Sequence, residues 1–115
     1  MFARLLQRFR RPAAGPAWLD PDELRQRMRR GEMHLVVDVR GPDEFDGPLG
    51  HIAGALNIPL PALAGRRSVL AGAGCPIVLV CLTDKRSSQA AAELAAAGIG
   101  DVAVLRGGMR AWGGE

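Results

Sequence analysis

Tyrosine is absent from this 115-residue chain, and all aromatics together make up 4% of it. Binding platforms for single-stranded nucleic acid stack bases on aromatic rings. A nucleic-acid partner is therefore not expected, despite a pI near 9.6. Cysteine occurs only twice, which excludes a disulfide-dense scaffold. Histidine also occurs twice, and no cysteine cluster accompanies it, so no metal-ligand spacing is present and no metal or cofactor is expected. No apolar run approaches the roughly 20 residues needed to span a bilayer. Neither an internal repeat nor a collagen period accounts for the 15 glycines and 8 prolines, which read instead as turns between short elements.

What is present fits one globular domain. The length matches roughly 100–200 residues per domain, and a chain of this size buries about two-thirds of its unfolded surface. Apolar residues make up 48% and charged residues 23%. The net charge of +3 is unevenly spread. Residues 1–31 hold eight arginines against three acids, and the remainder is slightly acidic. The basic character thus belongs to an N-terminal arm, residues 1–17, ahead of a domain at 18–115. Within residues 1–11, Phe2, Leu5, Leu6 and Phe9 fall on one helical face and no acid interrupts. Such a stretch suits a helix packed on its own domain, a peripheral membrane contact through anionic headgroups, or a partner contact or transit segment. Secretory signals carry an uncharged run of roughly 7–15 residues, which this arm lacks, so a cytoplasmic location is expected.

The body alternates strand and helix signals. Asp20-Pro21-Asp22-Glu23 starts a helix running to about Arg30. Leu35–Val39, Ala55–Ile58, Ile77–Val80 and Asp101–Leu105 read as strands. Pro42–Phe45 forms at most one helical turn. Helices are expected over Pro61–Leu70 and Ser87–Ala97, and a short one after Gly107-Gly108. Near-continuous apolar strands alternating with helices predict an α/β fold, a mainly parallel sheet with helices on both faces.

Ligands of open parallel sheets sit at the carboxyl ends of the strands. The strongest strand ends at Cys81, followed by Leu82, Thr83, Asp84, Lys85, Arg86 and Ser87, then a helix. The thiol is thus expected at a strand tip, with two cations and a loop whose amides can converge as an anion nest. An ordinary cysteine is only a few per cent thiolate at pH 7, and about two pKa units of lowering take ~2.7 kcal/mol. Helix end, nest and cations together supply that. The polar loop argues for an accessible sulfur. Arg40 and Glu44, four apart, are expected to pair across their turn, with Arg40 also able to face the site. Asp38 is expected to hold loop N–H groups by hydrogen bonds. Cys75 lies six residues before Cys81, about 20 Å along a strand at ~3.3 Å per residue, beyond the ~7 Å a disulfide allows, and reads as structural.

Four segments together resemble the single-domain rhodaneses over residues 18–112. They are Val37-Asp38-Val39-Arg40 with Glu44-Phe45; the run from Gly50 to Pro59; Ile77–Cys81 with the loop to Ser87; and Val104–Met109 with Trp112. The resemblance implies a three-layer rhodanese-like fold with about five strands. It implies sulfur transfer through a Cys81 persulfide, with an anionic donor such as thiosulfate and a cyanide or thiol acceptor. The N–H groups and cations of residues 82–87 are expected to bind that donor, with Asp38 and Arg40 as structural support. His51 is implied to be structural. Family members with basic loops prefer thiosulfate and those with small neutral loops mercaptopyruvate; this loop is basic, although Asp84 departs from a purely cationic one. Two alternatives stand beside this reading. One is a persulfide carrier serving a protein partner, at a membrane through residues 1–11. The other is a cysteine phosphatase, disfavoured because four residues rather than five separate Cys81 from Arg86 and Val80 replaces a preceding histidine.

Overall fold

The structure is a computed structural model, and it describes Phe9 and residues 15–113. Five strands form one sheet: β1 (Ala17–Leu19), β2 (Leu35–Asp38), β3 (Leu56–Asn57), β4 (Ile77–Val80) and β5 (Val102–Leu105). Their order is β1-β5-β4-β2-β3, and every pairing is parallel. The helices are α1 (Pro21–Arg29), α2 (Pro42–Phe45), α3 (Arg67–Ala71), α4 (Lys85–Ala96) and α5 (Gly108–Trp112), with a 3-10 helix over Leu60–Arg66.

The central strand β4, Ile-Val-Leu-Val, is buried at every position. Such runs belong to sheets covered on both sides, and side-chain alternation divides them between two cores. Ile77, Leu79, Val37, Val102 and Val104 pack with Leu63, Leu70, Ala90 and Leu94, beneath the 3-10 helix, α3 and α4. Val78, Val80, Val36, Ala103 and Leu105 pack with Leu24, Met109 and Trp112, beneath α1 and α5. The expected three layers are therefore present.

Three local expectations change. The stretch expected as one helix over Pro61–Leu70 divides into the 3-10 helix and α3; Ala62 N–H donates to Pro59 O at 2.8 Å, a three-residue bond that tightens this proline- and glycine-containing stretch. Helix α4 begins two residues earlier than expected, at Lys85. Strand β1 lacks a sequence signal because it has three residues between Pro16 and the cap of α1. Its order comes from β5, with Ala17 opposite Ala103 and Leu19 opposite Leu105. Ala17, on the arm side of the expected boundary, is thus part of the sheet.

The helical face expected over residues 1–11 lies outside the described residues except at Phe9. That ring is 7% exposed, packs in the second core and lies 4.9 Å from the Arg27 guanidinium carbon. Its N–H donates to Asp101 Oδ1 at 3.2 Å.

Candidate active site

The parallel sheet places the carboxyl ends of β2, β4 and β5 side by side. Val39 N–H donates to Val80 O at 2.8 Å, so the β2 and β4 exits leave the sheet together. Cys81 follows β4 directly. Beyond it, Leu82, Thr83 and Asp84 form the bend into α4 and are half-buried, while Lys85 is exposed. Ser87, in the first turn of α4, is fully buried and turned back onto the sulfur. Its N–H donates to Sγ at 3.4 Å, and its Oγ lies 3.3 Å from Sγ. A thiolate there would receive both donors.

The sulfur is less open than the polar loop suggested. Cys81 is 1% exposed and belongs to the first core, with Ala90 and Ala91 of α4. Small residues at these positions let α4 lie close over the strand tip. Among the described residues Ser87 alone places hydrogen-bonding groups on Sγ, its N–H and its Oγ, and no other loop amide reaches the sulfur. Of the loop residues only Lys85 is exposed; Leu82, Thr83, Asp84 and Arg86 are half-buried and Ser87 is buried, so the loop is less open than expected.

The charged groups pair differently from the four-residue spacing expected. Arg40 does not pair with Glu44. Its Nε and Nη2 donate to Asp38 Oδ1 and Oδ2 at 3.0 and 2.8 Å, and Nη2 also donates to Gly50 O at 2.7 Å. Both side chains are buried, at 2% and 1% exposure. Asp38 Oδ1 additionally accepts the Arg40 N–H at 3.1 Å, the loop amide it holds. Asn57 completes the knot, donating from Nδ2 to Asp38 O and Arg40 O at 3.0 and 2.9 Å. Sequence reasoning missed this role of Asn57, because its two partners lie 17 and 19 residues away.

Glu44 reaches across the site to Arg86 instead. Nη1 and Nη2 donate to Oε1 and Oε2 at 2.7 and 2.9 Å, a two-pronged pair spanning 42 residues. The Arg86 hydrogen bonds, opposed in part by desolvation, hold the Glu44 carboxyl down to about 2, and the same bonds raise Arg86. Arg86 is therefore compensated, while Lys85 makes no ion pair among the described residues. Asp84 Oδ2 accepts the Gly107 N–H at 3.2 Å, which occupies the one acid of the loop.

Beneath the loop lies α5. Met109 N–H donates to Cys81 O at 2.8 Å and Arg110 N–H to Leu82 O at 3.0 Å. Sequence reasoning gave Gly107-Gly108 only the opening of a terminal helix, not this contact. His51 keeps to α2, with Nδ1 2.8 Å from Phe45 O and its ring stacked on Phe45 at 3.6 Å. Cys75 and Cys81 lie at opposite ends of β4 and both are free. Burial, then the Asp101 charge, pushes the Cys75 thiol up, as suits an inert structural cysteine.

A strand-tip cysteine beneath a polar turn, on a fully parallel five-stranded sheet, defines a class that comparison with known proteins identifies. The rhodanese-like domain family matches residues 20–115, and the chain belongs to that family. YqhL of Bacillus subtilis is 38% identical over 97 residues, which cover 84% of this chain and 72% of that protein. The thiosulfate sulfurtransferase GlpE of Pseudomonas aeruginosa is 35% identical over 92 residues, 80% of this chain and 79% of GlpE. Among solved structures, the Alr3790 protein from Anabaena superposes with a TM-score of 0.74 at 33% identity, covering 84% of this chain and 77% of that one.

Proposed function

We propose that the protein is a sulfurtransferase that takes the outer sulfur of thiosulfate onto Cys81 and passes it to a thiophilic acceptor, cyanide or a thiol. The family and its sulfurtransferase relatives support sulfur transfer in general. The observation that carries the reading is the position of Cys81 Sγ, at the carboxyl end of β4 with both the Ser87 N–H and Oγ upon it.

In the first step the Cys81 thiolate attacks the outer sulfur of thiosulfate. A Cys–S bond to that sulfur forms, the bond to the sulfonate breaks, and sulfite leaves with the bonding pair. In the second step cyanide or a thiolate attacks the terminal sulfur of the persulfide, and the Cys81 thiolate departs. The two half-reactions balance with no outside oxidant, and the cycle is a covalent ping-pong. Sulfur leaving groups need little proton transfer, so no general base is required. Residues 82–87 would bind the donor: the Ser87 N–H and hydroxyl would meet developing negative charge at the sulfur, and exposed Lys85 would attract the dianion. Asp38 and Arg40 hold the neighbouring exit of β2.

A free nucleophilic thiol suits a reducing compartment such as the cytoplasm. No helix among the described residues is long and apolar enough to cross a membrane. Thiocyanate formation from thiosulfate and cyanide tests the reading. The wild type should produce it and Cys81→Ser should not; equal product from both would overturn the assignment.

A further inference from the structure

Helix α5 does more than cover the second core. Two successive loop carbonyls, of Cys81 and Leu82, accept the N–H groups of Met109 and Arg110. Across a planar trans peptide the C=O and the following N–H point in opposite directions. Fixing those carbonyls toward α5 therefore turns the amides of Leu82 and Thr83 away from it. Met109 and Trp112 of α5 belong to the second core, whereas the Cys81 side chain belongs to the first, on the opposite face of the sheet. The two amides are thus aimed to the side that carries the sulfur.

The approach is so close that only glycine fits. Gly108 has φ +58°, and a Cβ there would overlap the carbonyl oxygens of Thr83 and Cys81 and lie 2.8 Å from the Leu82 carbonyl carbon. The neighbouring Gly107 holds Asp84 through its N–H at 3.2 Å, so the loop is tied to the start of α5 at three points.

We infer that the start of α5 is the clamp that orients the Cys81 loop, and that Gly108 is a positioning residue for the sulfur chemistry although it touches no reacting atom. The inference rests on the sulfur-carrier reading of Cys81 but concerns how the loop amides come to face an anion. Loosening the clamp would let those amide dipoles turn from the sulfur's side, removing part of the positive field that an anionic sulfur would meet there.

The experiment reads Cys81 reactivity without any sulfur donor, in the full chain carrying Cys75→Ser so that one thiol remains. Alkylation by iodoacetamide is followed from neutral to strongly alkaline pH. Gly108→Ala is compared with Gly113→Ala, since Gly113 is also left-handed, at φ +83°, but has open space around a Cβ. Arg110→Pro, which deletes the donor to Leu82 O at a first-turn position with an exposed side chain, is compared with Arg110→Ala, which keeps it. The clamp variants should alkylate severalfold more slowly than their controls near neutrality, because two amide dipoles aimed to the sulfur's side without bonding it lose their orientation. They should converge with the controls in alkali, where every thiol is ionised. A folded Gly108→Ala that keeps the wild-type profile would overturn the clamp. Should Gly108→Ala fail to fold, an Arg110→Pro profile coinciding with Arg110→Ala would do the same. Persulfide formation by the wild type with thiosulfate, read by mass, separately decides the sulfur-carrier reading.

Discussion

Asp38–Arg40 and Glu44–Arg86 are both arginine–carboxylate pairs with two-point contacts, and both stand beside Cys81, yet they differ in almost every physical respect. The first joins residues two apart, is sealed from water, and gains further bonds from Gly50 O and the Asp38-held amide. The second joins residues 42 apart in the sequence and leaves both partners more than a third exposed, at 37% and 38%. A buried pair is costly to break because the remaining charge has no water to turn to. An exposed pair is screened and contributes little to stability. Similar contacts therefore serve as a fixed brace on β2 and as an adjustable link across the loop. The brace should be read in stability, and the link in donor binding.

The largest expected effect tests the brace. Arg40→Ala leaves Asp38 buried without its cation and should cost about 3–5 kcal/mol, lowering Tm by more than about 10 °C in a domain of this size. Thermal unfolding within a degree or two of wild type would show that water reaches the pair and that the two pairs are alike after all. The intermediate effect tests the link. Glu44→Gln keeps an oxygen for Arg86 but removes the compensating charge, so stability at neutral pH should fall by less than ~1 kcal/mol. Its KM for thiosulfate should fall a fewfold, because the released guanidinium adds to the attraction of Lys85 for a dianion. An unchanged KM would mean that Arg86 does not act on the donor.

The smallest effect is a pH dependence. The Arg86 hydrogen bonds hold the Glu44 carboxyl at about 2, below its usual value of 4.5. A carboxyl lowered by folding contributes stability that is present above its unfolded value and is lost as the pH falls through its folded one. The small stability difference between wild type and Glu44→Gln should therefore shrink as the pH drops from about 4.5 toward 2. Urea titrations at several pH values check this, and a difference that grows in acid would contradict the sign.

The same contrast explains what could be read from the sequence. The strands at 35–38, 77–80 and 102–105, the Ala-rich helix and the thiol at the strand tip carry local signals, namely β-branched runs, helix formers and a polar turn. Pairing does not. Arg40 and Glu44 have ideal spacing for each other, but the chain turns at Gly41-Pro42, so Arg40 folds back on Asp38 while Glu44 meets a residue from α4. β1 owes its existence to β5. The depth of Cys81 depends on the alanines of α4, and the contact of Gly108 with the loop depends on a helix that closes the fold from the far end of the chain. Each of these is a distance between segments, which residue spacing alone does not encode.

The central claim is that Cys81 is a sulfur carrier, and the most direct measurement is the intact mass after incubation with thiosulfate and removal of small molecules. A gain of one sulfur atom is expected, located on Cys81 by peptide mapping, discharged by cyanide and absent in Cys81→Ser. An unchanged mass, or a sulfur found on Cys75 instead, would contradict it.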